Sequence, residues 1–366
     1  MNVPVRDAIV LAGPDDARAT VAGVPLLLRT VLTLQRAGVE RCTIVGADPP
    51  ADPRIRLALA TSTALAPQPD DRPRLVIGPG TVVDTTLLDD LQARVAAGAT
   101  VELEHAGARV RVASGARVLE HGGRPEAPRA GTLAPVTSPP SALLQALLRN
   151  LENHHDGYLD RLVHRRVSRV LTPLLLRTPL TPNAITVLGV AIGAVGGLLL
   201  GARTFAGVLA GVACLVLSGA LDCCDGEVAR VRFTESKLGH WLDVTGDTLV
   251  HVAVLAGVTV HLARAGAVPG RGVLAALGVA VLAAFAVISW SEQTESARRR
   301  IDAWENGFLD GVLSPLTTRD WHVFVVAFAL AGRLDLLFLG GAIGGNVFWV
   351  VTLVLLLRVL RRTRSA

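Results

Sequence analysis

Leu221–Asp247 reads LDCCDGEVARVRFTESKLGHWLDVTGD. It gathers Asp222, Asp225, Gly226, Ala229, Arg230, Gly239, Asp243 and Asp247 at the junction of two strongly apolar segments. Charge beside a membrane span is costly, so four carboxylates there mark a functional site. Asp222 and Asp225 stand at i, i+3, and Asp243 and Asp247 at i, i+4, so each pair shares one face of a helix. Two such faces turned together make an all-oxygen cage suited to Mg²⁺ or Mn²⁺.

The surrounding composition is that of a chain in two halves. Of 366 residues, 51% are hydrophobic, and the apolar residues concentrate after about residue 180. Every Phe, Trp and Tyr lies at or beyond Tyr158. The amino terminus, MNVPVRDAIVLAGPDD, has no basic region and too short an apolar run for a signal peptide. Six stretches are expected to span a membrane: 183–202, 204–221, 241–263, 272–290, 320–334 and 336–357. The net charge is +5, supplied almost wholly by arginine. No aromatic-studded basic patch accompanies it, so no nucleic-acid partner is expected. The basic residues are instead in excess on one side of the spans, with Arg230, Arg232, Lys237, Arg298–Arg300, Arg319 and the tail from Arg358, against Arg203, Arg264, Arg271 and Arg333 on the other. That bias expects a multi-pass protein of the inner membrane, with both termini and the acidic site in the cytoplasm. Apolar residues recur at helical spacing over Leu159–Leu175 with arginines between them, which predicts an amphipathic helix on the inner membrane surface. Pro182 opens the first span where proline is tolerated.

The window fits the pattern D-x2-D-G-x2-A-R, eight residues, then G-x3-D-x3-D, with every fixed position present. It resembles the signature of the CDP-alcohol phosphotransferases (CDP-alcohol phosphatidyltransferases), integral membrane enzymes, over residues 156–360. The TPNAIT run at Thr181–Thr186 is similar to the segment that opens the first span in that family. The resemblance implies an all-α six-helix transmembrane domain. It also implies transfer of a phospho-alcohol group from a CDP-alcohol to an alcohol or phospho-alcohol acceptor, with release of CMP. Two Mg²⁺ or Mn²⁺ ions held by Asp222, Asp225, Asp243 and Asp247 are implied, with Asp247 also the general base. Arg230 offers a planar fork to phosphate oxygens. Gly226, Ala229 and Gly239 leave room for the nucleotide, and a homodimer in membrane lipid is implied.

Weaker candidates surround this set. Asn183 and Thr186 touch the cytidine or ribose, or cap the first span. Arg319 binds a phosphorylated acceptor, or belongs to the positive-inside bias with Arg298–Arg300. His251, one turn beyond Asp247, reads as a polar residue between helices, His240 as a loop residue, and Cys223 and Cys224 as small packing groups.

The first half reads as strands alternating with helices, which indicates a three-layer α/β domain. Asp7–Gly13 is a buried strand, Pro25–Arg36 a helix stopped by Gly38, and Cys42–Val45 and Arg74–Gly80 further strands. Val101–Glu104, Arg109–Val112 and Arg117–Glu120 are shorter ones. The stretch AGVPLLLRTVLTLQRAGVERCTIVG (Ala22–Gly46) resembles sugar-nucleotide or MobA-type nucleotidyltransferases, a Rossmann-like fold. Fusion of such a domain to the membrane half resembles the bifunctional inositol-1-phosphate cytidylyltransferase/di-myo-inositol-phosphate-phosphate synthases. The loop LAGPDDARATVAG departs from an active pattern: it has no lysine, no early second glycine, and two acids, Asp15 and Asp16, that repel phosphate. Pro79 and Gly80 stand where a metal-binding Asp is expected, and Asp84 comes later. The expectation is a catalytically dead domain over 1–123, a Pro-rich linker and connecting helix over 124–155, and the membrane domain over 156–366.

The fusion suggests a polar donor such as CDP-inositol. The alternative is a phospholipid synthase using CDP-diacylglycerol, which a lipid-facing gap beside the acids would favour. A transporter path or a decayed, non-catalytic membrane protein fits the complete motif less well.

Overall fold

The computed structural model describes residues 5–13, 16, 18–65, 72–96, 101–113, 125–151, 163–267, 270–293 and 321–364. The chain divides into two compact units, one of Met1–Glu152 with Val231–Phe233, the other of Asn153–Arg230 with Thr234–Ala366.

In the first unit, β1 (Asp7–Leu11), β4 (Arg41–Val45), β5 (Ala58–Ser62), β6 (Arg74–Ile77), β8 (Glu102–His105) and β9 (Ala108–Ala113) form one sheet in the order β5-β4-β1-β6-β9-β8. The first three neighbour pairs are parallel and the last two antiparallel. In central β1 the run from Ala8 to Leu11 is apolar, and Ala8, Ile9 and Val10 are all buried, so both faces of the strand are covered. Ala8 and Val10 pack on one face with Val31 and Leu34 of α1 (Leu26–Arg36) and Leu87 and Leu91 of α2 (Thr85–Ala96). Ile9 packs on the other with Val76. Short pairs β2 (Thr20–Val21) with β3 (Val24–Pro25), and β7 (Thr81–Val83) with β10 (Leu133–Pro135), flank the sheet.

That last pair lies within the stretch expected as a Pro-rich linker and connecting helix. Leu133–Pro135 forms β10, and α3 (Pro140–Arg149) buries Leu143 and Leu147 against Val21, Leu26 and Val82. The tie is Asp84. Its Oδ1 accepts from Leu87 N–H at the start of α2, and its Oδ2 accepts from Thr132 N–H and Asn150 Nδ2, all three within 2.9 Å. The strand expected at 117–120 lies outside the described residues. β5 and α2 escaped the sequence reading: β5 is a mostly exposed edge without an apolar run, and α2 follows directly on β7.

The second unit is helical: α4 (Arg165–Leu175), α5 (Pro182–Leu199), α6 (Phe205–Arg232), α7 (Lys237–Arg264), α8 (Arg271–Gln293), α9 (Trp321–Leu330) and α10 (Leu334–Arg364). Among the described residues four helices are long and apolar enough to cross a membrane: Pro182–Leu199, Phe205–Arg232, Lys237–Arg264 and Leu334–Val354. A shorter apolar stretch, Arg271–Val287, lies in α8, and α9 has ten residues. The expected second span at 204–221 is extended, because nothing in DCCDGEVARVR breaks a helix. α6 runs to Arg232, and the expected loop from Asp222 to His240 shrinks to four residues, 233–236. Phe233 ends it at φ 56°, with Thr234 N–H returning to Ala229 C=O, the closure usually made by glycine. Ser236 caps α7 by accepting from Gly239 N–H, and Thr181 caps α5 by accepting from Ala184 N–H.

α5 and α7 meet backbone to backbone. A Cβ added at Gly257 would stand 1.9 Å from Gly197 C=O. Small residues allow such approach between apolar helices, where close packing drives association. Gly257→Ala is therefore expected to lower stability by ~1–3 kcal/mol by overpacking, read as thermal unfolding in detergent. Gly278→Ala, where an added Cβ meets nothing within 4 Å, is expected to leave stability unchanged or raise it. In the first unit, burial pushes the Cys42 thiol up to about 12. Since the thiolate is the nucleophile, Cys42 is expected to resist alkylation at pH 8 while folded and to react once denatured. Mass spectrometry reads both states.

Candidate active site

The helical hairpin of α6 and α7 places the acids. Asp222 and Asp225 lie three and two turns before the end of α6, and Asp243 and Asp247 lie in the second and third turns of α7. Asp222, Asp243 and Asp247 each offer a carboxylate oxygen within 4.8 Å of the others, and all three are half-buried. Converging carboxylates at this depth call for a cation, because half-buried like charges repel with little screening. Oxygens sharing one hard divalent ion at ~2.1 Å lie up to ~4.2 Å apart, so the donor set fits Mg²⁺ or Mn²⁺ with small adjustment.

Asp225, the fourth expected ligand, stands outside that group of three. It is buried, accepts the Thr186 hydroxyl at 2.5 Å, and lies within Coulombic reach of Asp243 and Arg230. Thr186, expected as a nucleotide contact or a cap, sets its hydroxyl within hydrogen-bond distance of both Asp225 and Pro182 C=O, the latter at 3.1 Å, and Thr181 caps the helix. Gly226 makes room for Arg230: an added Cβ would stand 3.2 Å from its guanidinium. Gly239 does the same for Asn183, whose Oδ1 would lie 2.9 Å from a Cβ there. Ala229 is half-buried, on the last two turns of α6 with Arg230. Arg319 and Arg298–Arg300 lie outside the described residues. Cys224 packs with Ile185, Leu221 and Val228, as its reading as a packing group expects. His251 touches the site through its own backbone turn, Nδ1 to Asp247 C=O at 2.7 Å.

From Asp243 and Asp247 a cavity of about 540 Å³ runs between α7, α8, α9 and α10. Thr248 and His251 follow the acids on its wall. Beyond them the lining is apolar: Val254, Leu277, Phe285, Phe328, Phe348 and the glycines Gly340, Gly341, Gly344 and Gly345 of α10 among others.

One residue was missed. Glu227, at a variable position of the pattern, is 2% exposed and receives a whole helix face. Arg165 Nη1 donates to it at 2.7 Å, Ser168 Oγ at 2.9 Å and Thr172 Oγ1 at 2.5 Å. These three stand at i, i+3 and i+7 on α4, so the amphipathic helix turns a polar stripe inward and leaves Val170 and Leu174 exposed. The signal was present in that spacing and in an acid set among apolar neighbours.

Against this geometry stand the comparisons. Residues 179–332 match the family described as CDP-alcohol phosphatidyltransferase. The chain is 36% identical over 107 residues to the bifunctional IPC transferase and DIPP synthase of Aquifex aeolicus, covering 29% of this chain and 24% of that protein. It is 35% identical over 104 residues to the phosphatidylinositol phosphate synthase of Mycobacterium tuberculosis (strain ATCC 25618 / H37Rv), covering 28% and 46%. The chain thus spans about a quarter of the first relative and under half of the second. A crystal structure of the M. tuberculosis synthase with manganese and citrate aligns at 22% identity and a TM-score of 0.36, over 53% of this chain and 87% of that one.

Because Glu227 and Arg165 are both buried, removing either strands a charge. Arg165→Ala and Glu227→Ala are each expected to cost ~3–5 kcal/mol, while the apolar pair R165M/E227L recovers most of it. Thermal unfolding of the three variants checks the pattern, and equal losses in single and double variants would contradict it.

Proposed function

We propose that this protein is a membrane-embedded CDP-alcohol phosphotransferase whose active site is the Asp222–Asp225–Asp243–Asp247 cluster. The observation that carries the reading is the convergence of Asp222, Asp243 and Asp247 on one point, inside the segment that matches the family.

The acceptor hydroxyl attacks the β-phosphorus of the CDP-alcohol, and its oxygen forms the new P–O bond. The bond from that phosphorus to the bridging oxygen breaks, and the electron pair leaves on CMP. Asp247 takes the hydroxyl proton. Arg230, seated over Gly226, pairs with phosphate oxygens. Bound divalent ions, two by the family resemblance, would neutralise charge growing on the leaving phosphate. Asp222, Asp243 and Asp247 would hold them, with Asp225 completing the set. Thr186 orients Asp225, and Asn183 beside Gly239 borders the space for the nucleotide. Arg319 is assigned to a phosphorylated acceptor.

The donor is divided between a polar head group, as in CDP-inositol, and CDP-diacylglycerol. The apolar cavity opening at Asp243 and Asp247 favours the lipid donor, since hydrocarbon chains would fill it and a polyol would leave its walls wet. The M. tuberculosis relative is named a phosphatidylinositol phosphate synthase, which agrees with that choice.

The proposal also comprises a six-span domain in the inner membrane, with termini and acids on the cytoplasmic side by the arginine bias, assembled as a homodimer. The first unit is assigned as a nucleotidyltransferase-like domain that has lost catalysis. Its run of parallel strands β5-β4-β1-β6 supports that ancestry.

Asp247→Asn and Asp225→Asn are each expected to cut CMP release by ~10²–10⁴-fold, and EDTA to abolish it reversibly. The assay incubates membranes with CDP-diacylglycerol or CDP-inositol and a panel of alcohols, with the product identified by mass. Undiminished release from the Asp247→Asn chain would refute the site.

A further inference from the structure

β1 and β6 are adjacent parallel strands at the centre of the sheet, and Gly13 and Gly80 lie just past their carboxyl ends. In open parallel sheets this edge is where ligands bind, and main-chain N–H groups converging there take anions. Here the place is filled from within. Gly13 N–H donates to Asp16 Oδ2 at 2.8 Å. Gly80 N–H donates to both oxygens of the same carboxylate, at 3.0 and 2.9 Å. Asp16 is 7% exposed. The carboxylate is thus nearly out of water, and these main-chain donors offset that burial.

Gly80 adopts φ +61°, and an added Cβ would lie 3.8 Å from Asp16 Oδ1. At Gly13 an added Cβ would lie 3.6 Å from the same oxygen. Backbone therefore borders the carboxylate on both sides without an intervening side chain, as a cradle for a phosphate group requires. A negative side chain two bonds from its own backbone competes with any external anion at high effective concentration, and repels it as well.

We propose that the carboxyl end of β1 and β6 is a phosphate or pyrophosphate cradle whose resident occupant is Asp16, so that nucleoside triphosphates are shut out of the first unit. One consequence rests on the reading of the membrane half as a CDP-alcohol transferase. The CDP-activated donor must then come from a separate CTP-consuming cytidylyl transfer, not from this chain.

The test is hydrogen exchange of the full chain in detergent, followed on peptides that contain Gly13 and Gly80, with inorganic pyrophosphate as the probe and EDTA present. Without divalent metal the carboxylate cluster of the membrane half takes no part, and CMP release is not measured, so failure here is separate from failure of the transferase reading. In the unaltered chain, pyrophosphate is expected to change neither peptide. In Asp16→Ala both should exchange at least ~10-fold faster, the loss of a charge-assisted bond, and slow again when pyrophosphate is added. If the alanine chain does not fold, Asp16→Asn keeps one acceptor oxygen and drops the charge, and a weaker pyrophosphate response is expected from it. Protection by pyrophosphate in the unaltered chain overturns the proposal. So does a folded variant that pyrophosphate leaves unchanged.

Discussion

Three half-buried carboxylates held within 4.8 Å of one another are a standing electrostatic cost, and the helical unit is built around bearing it. Two helices must stay rigid up to their shared turn, or the acids would splay apart. α6 does so by continuing to Arg232, and α7 by starting at a Ser236 cap only four residues later. α5 then braces both: its Thr186 hydroxyl holds Asp225, and its glycine face lets α7 approach to backbone contact.

α4 extends that bracing outside the apolar bundle. Its polar stripe ends on Glu227, set between Asp225 and Arg230 on α6. A helix with Val170 and Leu174 turned outward is suited to a lipid surface, and the buried ion pair fixes its rotation about its own axis. Turning the helix away from Glu227 would leave both charges buried without their partner.

The sequence made the acid site legible because helical spacing alone puts Asp222 with Asp225 and Asp243 with Asp247 on common faces. The separation of Asp225 from the other three was not legible, because it depends on a hydroxyl from α5, far away in sequence. Helix α6 was read too short, since charged residues in a span lower its hydropathy without breaking its backbone. In the first unit, β1, α1 and β4 were readable from apolar runs and Gly38. The Pro-rich stretch was not, because its fold is set by one carboxylate, Asp84, reaching residues far along the chain. Acids at positions 15 and 16 were read as repelling phosphate, and the structure shows Asp16 seated on the main chain.

Four glycines of α10, at 340, 341, 344 and 345, form part of the cavity wall. They are not equivalent. A side chain at Gly341 would press on Leu277, and one at Gly345 on Ala280, whereas one at Gly340 would meet nothing within 4 Å. Helix packing therefore constrains two of these positions and leaves Gly340 open. A side chain at Gly340 would therefore narrow the cavity without pressing on a neighbouring helix.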